Sequence, residues 1–235
     1  MFNDVLVVSN IDLTSNVTVM KPSTFLNSSV RDFVLNINND YRYMKTGYYV
    51  SLHAETLEDP VIPSSVDIID ANRVPILLVR AAKAGIPTVP YLVTDSVKQI
   101  ISEFNFPVVL FPVNPFSFNV FKTAKNRSAL YRAFKSLSMT YKYAVCAQPL
   151  MGELVSFKSI FGKCELDAET RKISEKVYEQ FKIPICRLYV QRVKGESYLS
   201  AFHPLKMEEI LPVDVKAISE IVFQALKKGE PPWQT

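Results

Sequence analysis

Short apolar runs alternate with amphipathic segments along most of the chain, and this alternation constrains the fold more than any other feature. Val5 to Val8, Val17 to Met20 and Phe33 to Ile37 are short runs that predict strands of a small sheet. Thr46 begins a predicted helix that extends to Leu57. Its predicted buried stripe consists of Tyr49, Leu52, His53 and Leu57. Strands and helices that alternate in this way favour an α/β architecture.

Helix-boundary residues predict four more helices. The first extends from Asn72 as its N-cap to Ala84, with Pro75 in the first turn and Gly85 just beyond the end. Asn126 and Asp167 are predicted N-caps of two others, because apolar residues follow each at helical spacing. A last helix is predicted from Asp214 onward.

Further strands are predicted around these helices. A hairpin is predicted from Ile185 to Phe202, since two strand-like runs flank Lys194, Gly195 and Glu196. The remaining predicted elements are the strands Tyr91 to Val93, Val108 to Val113, Val120 to Ala124 and Val145 to Leu150, and a helix from Asp95 to Phe104.

Composition limits the functional classes. With 235 residues and 48% hydrophobic content, the chain can bury a core as one large domain or two small ones. The 27 basic and 23 acidic residues give a net charge of +4 that looks dispersed, which does not favour nucleic acid as a partner. Cys146, Cys164 and Cys186 lie far apart and predict reduced thiols. The apolar runs are too short for a signal peptide or a membrane span, so we expect a cytoplasmic protein without a membrane partner.

Several stretches resemble a known family. Tyr41 to Glu55, followed by Pro60 to Ser64, resembles the N-terminal domain found ahead of some RimK-like ATP-grasp proteins. The hairpin region Ile185 to Pro204 resembles the magnesium-binding strands of the ATP-grasp fold. The segments that follow the order of that fold are Asn72 to Ala84, Gly85 to Pro90, Asn105 to Val109, Ser128 to Leu137 and Ala147 to Gly152.

This resemblance implies a division into domains. Residues 1–71 would form a small N-terminal α/β domain, and residues 72–235 a shortened ATP-grasp-like α+β domain. Within the second domain, residues 72–153 would correspond to the nucleotide lobe and residues 154–235 to the lobe with the metal strands.

The resemblance also implies a chemistry that can be compared with the residues present. Family members join a carboxylate to an amine through an acyl-phosphate, using ATP and magnesium, which requires cations, a glycine loop and carboxylates. Here Phe111 occupies the position of a phosphate-contacting lysine, and no glycine occurs between Gly85 and Gly152. The loop from Asn114 to Asn119 carries proline and bulky rings instead, and Pro149 occupies the hinge position that is commonly acidic.

The expected metal ligands are replaced as well. The aspartate of the first metal strand aligns with Leu188, and the glutamate and asparagine of the second align with Ala201 and His203. The connection from Lys163 to Asp167 is also much shorter than the family's insertion of strands with basic residues.

Two groups of residues are candidates for a remaining site. Lys122, Lys125 and Gln148 are interpreted as remnants of a nucleotide site, although a solvated basic edge is the alternative for the two lysines. The second group could form a partner or ligand surface, with core packing as the alternative, and consists of Tyr41, Tyr43, Tyr48, Tyr49, Phe116 and Phe118.

These observations predict a non-catalytic RimK-like ATP-grasp homologue that needs no cofactor. It would act by binding a protein or a ligand, as a homo-oligomer or beside an active ATP-grasp ligase. The first alternative is a carboxylate–amine ligase that depends on ATP and Mg²⁺ and has an atypical site with Lys122 and Glu196. The second is a module that binds a small ligand or an anion between the N-terminal sheet and the remainder.

Overall fold

A computed structural model describes residues 5–14, 16–113 and 121–228 of the protein. These residues form three sheets, which follow one another along the chain. The mixed α/β class predicted from the sequence is confirmed. None of the described helices is both long and apolar enough to cross a membrane.

The N-terminal sheet is parallel and has the strand order β2-β1-β3-β4. Its strands are β1 (Val5–Ser9), β2 (Val19–Met20), β3 (Phe33–Ile37) and β4 (Val61–Ile62). The helices of this region are α1 (Pro22–Phe25), α2 (Thr46–Thr56) and α3 (Ser65–Asn72). Since the strands are parallel, the chain leaves β1 and β3 at the same edge of the sheet, where ligands commonly bind in open α/β sheets.

The central sheet is antiparallel and has the order β5-β8-β6-β7. Helix α4 (Val74–Lys83) precedes it, and α5 (Val97–Glu103) and α6 (Arg127–Leu137) cover one of its faces. Its strands are β5 (Leu92–Thr94), β6 (Val108–Pro112), β7 (Lys122–Ala124) and β8 (Val145–Pro149).

The C-terminal sheet is antiparallel and has the order β11-β10-β9. It consists of β9 (Glu153–Ile160), β10 (Ile185–Val193) and β11 (Glu196–His203). Helices α4 and α7 (Ala168–Phe181) pack against β11, and α8 (Pro212–Lys228) ends the described chain. Side chains from α4, the central sheet and the C-terminal sheet form one buried cluster, so these parts share a core.

Local sequence signals located several elements correctly. The Asn126 side chain accepts a hydrogen bond from the Ala129 N–H at 2.9 Å, and Asp167 accepts one from the Thr170 N–H at 3.0 Å. Both therefore act as the predicted N-caps. Strands β10 and β11 form the predicted hairpin.

The predicted cap at Asn72 is wrong. Asn72 is the last residue of α3, a helix that the sequence analysis missed, and its side chain donates to the Ile68 carbonyl oxygen at 2.8 Å. The following helix begins at Val74. Ser64 caps α3 by accepting from the Asp67 N–H, which is the signal that could have revealed it. Strand β9 was missed as well.

The predicted buried stripe of α2 is also wrong. Its buried residues are Gly47, Tyr48, Val50, Ser51 and Ala54, while Tyr49 is exposed. A β-carbon on Gly47 would lie 2.6 Å from the Asp40 carbonyl oxygen. The backbone of α2 therefore approaches Asp40 closely at Gly47, and the size of a side chain was a poor guide to the buried face.

Candidate functional site

The central sheet and the C-terminal sheet face each other, and we call the space between the two facing sides the inter-sheet cleft. On the central sheet, Phe111 lies opposite Cys146, and Val109 lies opposite Gln148. Opposed residues of an antiparallel pair point to the same face, so these four side chains share the face turned away from α5 and α6. All four are buried.

The register of the hairpin defines the opposing face. Tyr189 lies opposite Ala201 and Arg187 opposite His203, so these four residues share one face. Leu188, which the resemblance aligned with the metal-strand aspartate, lies opposite Phe202 and therefore points to the other face from Ala201 and His203. A shift of one residue along a strand reverses the direction of every side chain, which an alignment without the register could not detect.

Aromatic rings contact one another across the inter-sheet cleft. The rings of Phe111 and Phe121 are 5.7 Å apart between centroids, and Phe121 contacts Tyr189 on β10 edge-on at 5.5 Å. Phe111 is only 1% exposed. We call these three residues the aromatic bridge, since they connect the two sheets. Phe116 and Phe118 lie outside the described residues.

Polar side chains also form hydrogen bonds between the two sheets. Gln148, a predicted nucleotide contact, is buried and donates from Nε2 to the Ser200 carbonyl oxygen at 2.8 Å, while its Oε1 accepts from the Ser200 hydroxyl. Gln191 on β10 donates to the Pro149 carbonyl oxygen at 3.1 Å and accepts from the Met151 N–H at 2.9 Å. The amide groups of both glutamines are therefore engaged within the protein.

The two predicted lysines lie elsewhere. Lys122 is opposite Leu110, whose face of the central sheet is covered by α6, so Lys122 points away from the inter-sheet cleft. Lys125 is exposed just after β7. The structure therefore does not bring either lysine together with Gln148. Glu196, the carboxylate of the ligase alternative, is exposed at the hairpin turn and accepts a hydrogen bond from the Tyr198 hydroxyl.

A charged group that the sequence analysis missed lies beside the cleft, and we call it the mouth cluster. Its members are Asp40, Arg42, Arg187, His203 and Glu209. Arg42 Nε donates to Asp40 Oδ1 at 3.0 Å, and Arg187 Nη2 lies 3.0 Å from Glu209 Oε1. The position of Asp40 shortly after β3, at the carboxyl edge of a parallel sheet, was the available signal.

Ion pairing determines the protonation of the mouth cluster. Burial alone would raise the pKa of Asp40, but the hydrogen bonds and the charge of Arg42 outweigh it and lower that pKa. For Glu209, burial is likewise outweighed, by the Lys206 N–H and by Arg187, so its pKa is also lowered. Each carboxylate thus has a guanidinium partner, and this donor set does not fit a divalent cation. Within the described residues, no group of three or more His, Cys, Asp or Glu side chains could hold a metal ion.

Two of the four tyrosines predicted to form a surface are buried, and the other two are exposed. Tyr41 is fully buried, where its hydroxyl donates to the Asn36 carbonyl oxygen and accepts from the Asn38 N–H, both at 2.9 Å. Tyr48 is buried too, whereas Tyr43 and Tyr49 are 42% and 41% exposed. Core packing therefore accounts for Tyr41 and Tyr48, and the other two can contribute to a surface.

Comparison with known proteins identifies the fold. The model of the family described as RimK-like ATPgrasp N-terminal domain matches residues 22–220. No curated protein matches the chain. The range matched by the family model includes parts of all three sheets, and the division into domains at residues 71 and 72 stays a prediction.

Solved structures are similar over most of the chain. The D-alanine–D-alanine ligase from Bacillus anthracis has 14% identity and a TM-score of 0.66, with 96% of this chain and 99% of that chain covered. A RimK domain ATP-grasp protein from Sphaerobacter thermophilus has 14% identity and a TM-score of 0.63, with 92% and 98% covered. At such identities the likeness shows the fold alone, and it confirms the predicted ATP-grasp-like class.

The first prediction concerns the aromatic bridge. Replacing Phe111 by Ala should lower the free energy of unfolding by about 3–5 kcal/mol, because a fully buried ring leaves a cavity. Phe111→Leu should lower the free energy of unfolding by a smaller amount. This second variant keeps the experiment informative if Phe111→Ala does not fold. Urea denaturation measures both, and Tyr143→Ala, at an exposed position, should stay within about 0.5 kcal/mol of the parent.

Cys146 provides a second measurement of the same prediction. It lies opposite Phe111, and burial raises the pKa of its thiol to about 12, so it should resist alkylation at pH 8 while half-buried Cys164 reacts. Phe111→Leu should accelerate alkylation of Cys146, as measured by mass spectrometry of each cysteine. Rapid alkylation of Cys146 in the unmodified protein would contradict a filled cleft.

A further prediction concerns His203 in the mouth cluster. Burial lowers the pKa of His203, and the nearby charges of Arg42 and Arg187 add to this effect against the opposing charge of Asp40. The unfolded chain therefore binds a proton at this histidine at higher pH than the folded protein does. The free energy of unfolding is therefore not reduced by His203 above about pH 6.5, the ordinary pKa of histidine. As the pH falls below that value, the unfolded chain takes up the proton first and the free energy of unfolding decreases.

Thermal unfolding between pH 7.5 and pH 5 tests this dependence. His203→Gln should lose less stability on acidification than the parent protein, because the titrating group is gone. His53→Gln, a substitution at the other histidine of the chain, should behave like the parent because His203 is intact. Equal acid sensitivity in His203→Gln and the parent would show that His203 does not contribute.

Proposed function

The chain belongs to the RimK-like ATP-grasp N-terminal domain family, and from this premise we propose that it is a non-catalytic member that acts by binding a protein partner. The partner is either a second copy of the chain or an active ATP-grasp ligase. No bound nucleotide and no metal ion is required for this function.

One observation carries the proposal: the aromatic bridge occupies the inter-sheet cleft. Phe111 is buried at a position where the family resemblance implies a lysine on phosphate, and its ring offers no hydrogen bond to an anion. Phe121 and Tyr189 continue the apolar contact to the opposite sheet. A nucleotide could enter only by displacing these rings, and it would then meet buried apolar surface instead of cations.

The mouth cluster supports the same conclusion. On the hairpin face, the residues opposite one another are Tyr189 with Ala201 and Arg187 with His203, so the face carries no carboxylate at these positions. The nearby Glu209 is paired with Arg187. Arg42 and Arg187 beside His203 are each paired with a carboxylate, Asp40 and Glu209, so the mouth cluster has no unpaired carboxylate for magnesium.

The partner half of the proposal rests on an exposed group at the start of α2. Tyr43, Met44 and Tyr49 are exposed, and the rings of both tyrosines contact that of buried Tyr48 at 5.2 and 5.7 Å. We call these three residues the tyrosine patch. Tyrosine and methionine are enriched in protein interfaces, and rings held against the core lose little entropy on binding.

A nucleotide titration tests the non-catalytic half. We expect the melting temperature to stay constant when the protein is titrated with ATP and Mg²⁺ to a concentration in the millimolar range. A ligand present at 100 times its dissociation constant adds about 2.7 kcal/mol of stability. For a chain of this size that corresponds to a rise of about 5–10 °C.

A magnesium-dependent rise of that size would overturn the non-catalytic proposal. Inorganic tripolyphosphate is the matched control, since it reproduces the phosphate charge without the nucleoside. If ATP binds, Lys122→Met and Glu196→Gln identify whether the site is the atypical one of the ligase alternative, because each removes one of its two charged groups.

Sedimentation of the full chain tests the tyrosine patch. We expect a species heavier than the 26.7 kDa monomer, which the double variant Tyr43→Ser/Tyr49→Ser converts to a monomer. The matched control is Tyr131→Ser/Tyr143→Ser, which removes two equally exposed tyrosines elsewhere and should leave the mass unchanged. A parent protein that is monomeric at high concentration would exclude the second copy as the partner.

A further inference from the structure

One long segment of the chain contains basic residues but no acidic ones. Residues 104–152 contain six Lys or Arg side chains and no Asp or Glu. This segment alone exceeds the net charge of +4 of the whole chain, so the remainder is net acidic. The small net charge of the whole chain therefore conceals a larger positive charge in this segment.

The fold places two of these cations beside the same groove. Lys122 on β7 and Arg132 on α6 line it together with Thr123, Ala129 and Ala133. The groove has a volume of about 430 Å³ and is open to solvent. It lies on the α6 side of the central sheet, away from the inter-sheet cleft.

Helix geometry extends this surface along α6. Arg127, Tyr131 and Lys135 are four residues apart and form one stripe, and Arg132 is adjacent to it because it precedes Lys135 by three. Tyr131 is 45% exposed. The stripe is roughly 12 Å long at 1.5 Å per residue. We call these four residues and Lys122 the basic face.

Helix stability does not account for the basic face. None of its four cations forms an ion pair with another described residue, whereas on α4 Arg80 is paired with both Asp67 and Asp70. Arg127 lies in the first turn of α6, where the helix dipole disfavours a positive charge, and no acidic residue compensates for it there. Arg132 and Lys135 repel each other at three-residue spacing. These unfavourable charge interactions are explained if the cations bind a ligand.

We propose that the basic face binds a segment of single-stranded nucleic acid. The four cations would contact successive phosphates along the groove and the stripe, and the exposed Tyr131 ring would stack on a base. Lysine is depleted in protein interfaces, so a face with two lysines, two arginines and one aromatic ring suits a polyanion better than a protein. The proposal goes beyond the proposed function and does not depend on it.

Fluorescence anisotropy tests the proposal with the full chain and a labelled single-stranded oligonucleotide of about 16 nucleotides, which is at the upper end of site sizes for single modules. We expect a dissociation constant on the order of micromolar at low salt. The double variant Arg132→Glu/Lys135→Glu should bind more than tenfold more weakly. It should also reduce the slope of log affinity against log salt by about 1.4, since two phosphate contacts are lost.

Matched variants separate the basic face from total charge. Lys216→Glu/Lys227→Glu makes the same change in net charge at two exposed lysines of α8 and should keep both affinity and salt slope. Tyr131→Ala should weaken binding by about tenfold through lost stacking, while Tyr131→Phe should restore it. Circular dichroism confirms that each variant is folded.

Three results would overturn the proposal. The first is an absence of binding by the parent protein at low salt, and the second is an equal loss of affinity in the α8 control. The third is competition by an oligoglutamate peptide at the same charge concentration, with no effect of Tyr131→Ala on either ligand. That result would assign the basic face to an acidic protein segment.

Discussion

The contact between the central and C-terminal sheets through the aromatic bridge is the interaction on which the rest of the structure depends. Phe111, Phe121 and Tyr189 join two sheets that also share a buried apolar cluster with α4 and the hydrogen bonds of Gln148 and Gln191. Burying such a ring stabilises a protein by about 1.5–3 kcal/mol, and each aromatic pair adds about 0.5–1.5 kcal/mol. In the proposed function these rings have a second role, since they would occupy the space that a nucleotide needs.

The proposed function and the further inference both assign binding to the exterior of the protein. Two surfaces differ in chemistry and in position along the chain. The tyrosine patch is apolar and lies at the start of α2, where its rings rest on the buried Tyr48. The basic face is cationic and lies on β7 and α6, behind the central sheet as seen from the cleft. One can therefore be altered without disturbing the other.

Local signals in the sequence predicted elements well, and contacts between distant elements were the limit. The caps at Asn126 and Asp167 depend on one side chain and a backbone N–H three residues away, which a sequence displays directly. The face on which Leu188 lies depends instead on its register with Phe202. Likewise, Lys122 and Gln148 were grouped by resemblance but lie on opposite faces of one sheet, because only strand pairing determines that.

The connection between the two antiparallel sheets is held against β10 by close contacts. Leu150, Met151 and Gly152 connect β8 to β9, and the Met151 N–H donates to Gln191 Oε1 on β10 at 2.9 Å. Gly152 lies so close to β10 that a β-carbon there would collide with the Arg192 carbonyl oxygen. Any movement that opened the cleft at this end would have to break these contacts together with those of Gln148. Glycine is thus required at position 152 because two backbones approach each other there.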